Sequence, residues 1–154
     1  MKSIQRLSAL FILLVLSLTS CDWDNSPEPP HPTFISYNIS AWLDEGYVGP
    51  VNLATDINAW IKEHSITYDK KVNYSTGDAS EFKTTDAEAL KNYDTFKANF
   101  TKFLAEIKDK LSQGAYKTPN ETALKVNATF YTFAERQQGN DNLLKSEKVV
   151  FTYP

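Results

Sequence analysis

One long amphipathic stretch, residues 86–113, limits what this chain can fold into. Large apolar side chains recur there every three or four positions, which is the spacing of one face of an α-helix. Thr85 and Glu88 match a capping box at its start, and Gly114 matches a C-terminal cap. Such a helix needs a second layer to cover its apolar stripe. The stripe comprises Leu90, Tyr93, Phe96, Phe100, Phe103, Leu104, Ile107 and Leu111.

The second layer is predicted to be a β-sheet, because several segments have the two-residue period of a strand. Lys70 interrupts the apolar face of one of them and therefore favours a bulge or an edge position there. Residues 137–142 indicate a loop of hairpin type between the last two strands. The predicted strands are 33–43, 66–74, 123–135 and a final one marked by Val149, Phe151 and Tyr153.

A shorter helix is predicted between the first two strands, with Asn52 as its N-cap and a stop near Ser65. The order is strand, helix, strand, helix, strand, strand. This order predicts an α+β fold, a two-layer sandwich with two helices packed on one face of a mixed, mostly antiparallel sheet of about four strands. Residues 33–154 are long enough for a single globular domain and too short for two.

The first 20 residues have the pattern of an export signal. Lys2 and Arg6 form a basic start, and the apolar run from Leu7 to Leu18 is shorter than the roughly 20 residues that span a bilayer as a helix. The run ends at Leu18-Thr19-Ser20-Cys21. This motif resembles the lipobox of bacterial lipoproteins, in which one large apolar and two small residues precede a cysteine. The later part of the chain resembles no family in the same way.

The resemblance implies that residues 1–20 are a lipoprotein signal peptide. The Cys21 thiol would carry a diacylglyceryl group, a signal peptidase would cut before it, and the new amine would be acylated. Two or three acyl chains hold a small domain on a membrane, whereas one chain binds only marginally. The alternatives are an ordinary cleaved secretory signal and an uncut signal anchor.

Residues 21–32 are predicted to form the lipidated cysteine and a proline-rich spacer between the lipid and the domain. Asp22 and Asp24 follow the cysteine closely. Acidic residues there resemble a surface-export signal in some Gram-negative groups and an inner-membrane retention signal in others. We expect the cell envelope, with anchoring to the outer membrane at its surface or its periplasmic face.

Residues that could carry catalysis or hold a metal are few and scattered. His31 lies in the spacer and His64 in the last turn of the first helix, and Cys21 is the one cysteine in the chain. A zinc site needs three or four converging ligands. The sequence contains no Gly-x-Ser-x-Gly pattern and no Gly-rich phosphate loop. We therefore expect no metal or cofactor and assign no catalytic residue.

The alternation in the strands also predicts an outer sheet face that the helices leave uncovered. Aromatic rings among amides and hydroxyls on such a face suit a protein partner or a glycan. An ordinary outer sheet face, partly covered by the N-terminal segment or by loops, would have a similar composition. The candidate binding residues are Phe34, Asn38, Trp42, Asn127, Tyr131 and Phe133.

The expected function is a non-enzymatic binding or interaction module held at the membrane through the lipid on Cys21. Its partner would be another envelope protein or a glycan. Nucleic acid is not expected, because acidic residues outnumber basic ones by 19 to 16 and no basic run occurs. The alternative is a small envelope enzyme or enzyme inhibitor whose site assembles only in the fold. Two carboxylates or His64 converging in a cleft would favour that alternative.

Overall fold

The elements follow one another in the predicted order. A computed structural model describes residues 33–72, 79–117, 123–137 and 142–154, which belong to the unit Pro32–Pro154. The predicted signal peptide, Cys21 and the spacer lie outside the described residues. The strands are β1 (Thr33–Leu43), β2 (Ile66–Val72), β3 (Val126–Arg136) and β4 (Leu143–Tyr153), and the helices are α1 (Val51–His64) and α2 (Ala79–Ser112).

The four described strands form one sheet in the order β2-β1-β3-β4, and each of its three pairings is antiparallel. Trp42 of β1 lies opposite Tyr131 of β3, which lies opposite Lys148 of β4. The predicted α+β class is confirmed. β2 is an edge strand, as Lys70 suggested, and the Lys70 ammonium pairs with the Glu88 carboxylate at 2.6 Å.

Both helices pack on one face of the sheet. In β1 every second side chain is buried, so Ile35, Tyr37 and Ile39 point to the helices. α1 contributes Leu53, Ile57 and Ile61 to the same core. Burying a large side chain of this kind contributes about 1.5 to 3 kcal/mol, so the stripe of α2 is a main source of stability. Its buried members are Tyr93, Phe96, Phe100, Leu104, Ile107 and Leu111.

The start of α2 was predicted wrongly. The helix begins at Ala79, so Thr85 and Glu88 lie inside it and do not form a capping box. Neither Gly nor Pro occurs between residues 79 and 113, and adding one residue to an existing helix is far easier than nucleating it. The predicted end is confirmed. Gly114 has a φ of 88°, its N–H donates to Leu111 O at 3.0 Å, and Ala115 N–H donates to Lys110 O at 3.0 Å.

The prediction that Asn52 caps α1 is also wrong. The N-cap is Pro50, in an extended conformation and with no side-chain capping bond. Asn52 lies in the first turn, where its Oδ1 accepts the N–H of Leu53 at 3.0 Å. The predicted stop is confirmed, because both the N–H and the hydroxyl of Ser65 donate to Ile61 O.

The strand ends differ from the prediction by several residues. β2 ends at Val72, and residues 73–78 lie outside the described ones. β3 begins at Val126 rather than at residue 123, and β4 begins at Leu143, well before Val149. The Arg136 N–H donates to Asn142 O at 2.6 Å and closes the predicted hairpin, whose residues 138–141 are not described.

The loop between β1 and α1 continues alongside β3. Val48 and Asn127 exchange two backbone hydrogen bonds, at 2.8 and 2.9 Å. The Tyr47 hydroxyl donates to Pro50 O. Glycine is favoured at position 49, because φ is 155° there and an added Cβ would lie 2.6 Å from that hydroxyl and displace the Tyr47 ring. Within the described residues, no helix is both long enough and apolar enough to cross a membrane.

Candidate interaction surface

The outer face of the sheet carries all six candidate residues. Phe34, Asn38 and Trp42 come from β1, and the register places the β3 candidates on the same face. Phe34 is 64% exposed and Trp42 is 47% exposed, whereas their neighbours Ile35 and Ala41 are buried among the core residues. Both helices insert into that core from the opposite side. The alternation of side chains along the strands therefore correctly predicted that these residues lie on the outer face.

Trp42 and Tyr131 form the centre of this surface. They lie directly opposite each other on β1 and β3, and their rings stack with centroids 4.6 Å apart at an angle of 23°. Such a pair contributes about 0.5 to 1.5 kcal/mol beyond its buried area, so each ring holds the other in place. Phe133 follows Tyr131 on the same side of β3 and pairs with Ser40. Three aromatic residues thus occupy neighbouring positions on this face.

The remaining candidates do not join that cluster. Phe34 lies eight residues from Trp42 along β1, which is about 27 Å at 3.4 Å per residue. Asn127 lies four residues from Tyr131 along β3, which is about 14 Å. The Asn38 amide donates to the Glu135 carboxylate at 3.0 Å and is already engaged. The six residues therefore share a face but do not form one site.

β4 adds residues that the sequence prediction missed. Lys148 lies opposite Tyr131, and Val150, which is 59% exposed, lies opposite Thr129. Both belong to the outer face by the same alternation that buries Phe151. They could have been found from the alternation of residues 146–152, had β4 been predicted to begin earlier.

A polar cluster lies on the helix side of the sheet, near the start of β1. The Asp86 carboxylate accepts the Tyr37 hydroxyl at 2.9 Å and pairs with the Arg136 guanidinium at 3.1 Å. Tyr68 stacks on Tyr37 with centroids 5.1 Å apart. Burial and the neighbouring Asp86 raise the pKa of Tyr37 far above its usual value, so its hydroxyl remains a donor. Each of these contacts joins α2 or β2 to the central strands, which is a structural role.

His64 lies where it was predicted, in the last turn of α1. Its Nδ1 is 2.9 Å from Trp60 O, and its ring stacks on Trp60 with centroids 4.1 Å apart. A histidine at a helix C-terminus interacts favourably with the helix dipole. In the part of the chain that is described, no three His, Cys, Asp or Glu side chains are grouped closely enough to hold a metal ion.

In comparisons with known proteins, the chain matches no protein-family model, no curated protein and no solved structure. The function is therefore inferred from the chain's own motif and surface geometry.

Proposed function

We propose that this chain is a lipid-anchored protein of the cell envelope that binds a partner through its outer sheet face and does not catalyse a reaction. The anchor rests on Leu18-Thr19-Ser20-Cys21, which follows an apolar run of the right length. The outer membrane is the address we favour. The binding role rests on one observation, the Trp42–Tyr131 stack on a sheet face opposite the helices.

The position of the stack supports this role. β1 begins at Thr33, so a spacer from Cys21 would join the domain at the end that carries Phe34. Trp42 lies near the other end of the strand, about 27 Å away. The Trp42 side chain is 47% exposed, which supports its availability to a partner. Trp and Tyr are also the residue types that most often dominate binding energy at interfaces.

The anchor is tested by replacing the cysteine. Cys21→Ala is expected to abolish incorporation of radiolabelled fatty acid and to release the protein from the membrane fraction. Ser26→Ala, outside the motif, is the matched control and keeps both properties. Fatty acid incorporation that survives Cys21→Ala contradicts the anchor.

The surface is tested by photocrosslinking in intact cells, with a photoreactive aromatic residue in place of Trp42. We expect a discrete adduct from this position. The same residue in place of Lys102, on the exposed side of α2, is the control and should give none. The Tyr131→Ala change in the crosslinking protein should reduce the adduct several-fold, because it removes the ring on which position 42 rests. Equal yields from positions 42 and 102 would refute the binding face.

A further inference from the structure

A groove lies at the end of the sheet where β3 begins and β4 ends. Val48, Asn127, Thr152 and Tyr153 line it, and α2 contributes Lys108. The bridge between Val48 and Asn127 forms one wall, since it continues the sheet beyond the end of β1. The Tyr153 hydroxyl donates to Leu111 O at 3.2 Å and holds the end of β4 against α2. The groove is therefore built from regular, hydrogen-bonded backbone.

Lys108 and Lys125 are the charged side chains that line this groove, and both are exposed. Within the described residues, neither ammonium has a carboxylate within 4.0 Å. Elsewhere Lys70, Lys97 and Lys145 each pair with a carboxylate. Two lysines in one concave site, without an ion-pair partner in the described part of the chain, favour an anion, although the whole chain has a formal charge of −3.

The groove also offers neutral hydrogen-bonding groups. The Asn127 amide and the Thr152 hydroxyl lie opposite each other on β3 and β4 and face outward. Neither side chain hydrogen-bonds to another described residue, whereas the Asn127 backbone is fully paired with Val48. An amide can both donate and accept, and so can a hydroxyl, which suits a ligand with several hydroxyl groups.

The outward wall of the groove lies on the same sheet face as the aromatic pair. Along β3, Asn127 is followed on the outer face by Thr129 and then by Tyr131, about 14 Å away. Val150 lies beside Thr129 and is 59% exposed, so both residues lie between the two regions on the outer face. The proposed surface thus runs from the Trp42–Tyr131 stack to a pair of cations.

We infer that this surface binds an anionic oligosaccharide. One sugar ring stacks on Trp42, whose ring rests against Tyr131. The oligosaccharide follows β3, and its acidic substituent pairs with Lys108 and Lys125 while Asn127 and Thr152 contact hydroxyl groups. This inference rests on the proposed binding function and names its ligand class. An acidic peptide would satisfy the lysines but would have less use for the exposed Trp42 ring at the other end of the surface.

The test is calorimetric titration of the full-length lipidated protein in neutral detergent with trigalacturonic acid. We expect saturable binding that weakens as salt is added. Lys108→Gln and Lys125→Gln should each weaken it about threefold, and together about tenfold, as exposed ion pairs do. Trp42→Ala should also weaken it. Lys102→Gln, an exposed lysine elsewhere on α2, is the matched control and should leave the affinity unchanged.

Three results would overturn the inference. The first is no measurable binding of trigalacturonic acid. The second is equal affinity for neutral maltotriose, or an affinity that the two lysine substitutions do not change. The third is equally tight binding of triglutamate with no effect of Trp42→Ala, which would identify an acidic peptide. In each case a photoadduct from position 42 would still support the proposed binding face. The experiments can therefore reject the oligosaccharide ligand without rejecting the binding face.

Discussion

The carboxylate of Asp86, in α2, lies 3.1 Å from the guanidinium of Arg136, at the end of β3. The same carboxylate accepts the Tyr37 hydroxyl from β1. The side chains of Arg136 and Asp86 are only 14% and 22% exposed, so little water screens the pair. One acidic group thereby joins the long helix to both central strands.

Asp86→Ala is expected to lower the free energy of unfolding by about 2 to 4 kcal/mol, because it leaves Arg136 and the Tyr37 hydroxyl without this partner in a partly buried site. Urea denaturation measures the change. Glu88→Ala is the control, since the Glu88–Lys70 pair is 48% and 41% exposed and should be worth less than about 1 kcal/mol. Equal losses in the two variants would contradict a special role for Asp86.

Thr132→Val is expected to destabilise the protein by about 1 to 3 kcal/mol. Thr132 is fully buried, and its hydroxyl is 2.9 Å from the Tyr93 hydroxyl and donates to Glu147 O at 3.2 Å. A double-mutant cycle with Tyr93→Phe should show that the two losses are not additive, since each variant removes the same hydrogen bond. Additive losses within experimental error would mean that the bond contributes nothing.

Gly114→Ala is expected to cost about 1 kcal/mol, because the φ of 88° at this position is unfavourable for any residue with a Cβ. Nothing beyond the neighbouring residues lies within 4 Å of the added atom, so the cost comes from the left-handed backbone and not from a clash with the surrounding fold. Gly46→Ala also meets no atom within 4 Å and serves as the control. Thermal unfolding followed by circular dichroism should show a lower midpoint for Gly114→Ala alone.

Alkaline pH is expected to destabilise the fold through Tyr116. Burial, and then the hydrogen bond to Asp56, raise the pKa of Tyr116 to about 12 from 10.0. Because the folded pKa is raised, the contribution of Tyr116 is complete below pH 10 and is lost as the pH rises towards 12. Tyr116→Phe should therefore show a smaller fall in unfolding free energy across this range, measured in urea. Lysine deprotonation affects both proteins alike, so identical pH slopes would contradict the prediction.

The class and faces of the strands were predictable because they depend on local alternation. In residues 35–41 the inward positions are hydrophobic, and the structure buries Ile35, Tyr37, Ile39 and Ala41. The start of α2 was not predictable from its capping residues, since Thr85 and Glu88 can occur within a helix as well as at its end. A helix without Gly or Pro can extend until packing against the rest of the fold ends it. The residues that make this packing lie far away in the sequence.

The candidate surface was predictable as a face but not as a site. The alternation along β1 placed Phe34 and Trp42 on one side of the strand. Only the register between strands shows which aromatic rings contact each other. The Trp42–Tyr131 stack and the groove at Lys108 and Lys125 join residues that are far apart in the chain. The Asp86–Arg136 pair likewise joins residues 50 positions apart, and no local sequence pattern predicts it.

The strand order β2-β1-β3-β4 has a consequence for how the chain folds. β1 comes first among the described elements but occupies a central place, and its neighbour β3 follows only after both helices and β2. The contact between Asn38 and Glu135 closes a loop of 97 residues. Contacts this distant in sequence slow folding, because a large loss of chain entropy precedes the stabilising contacts. β1 and β2 can pair early because only α1 separates them in the chain. The pairing of β3 with β1 and β4 requires residues from Val126 onward.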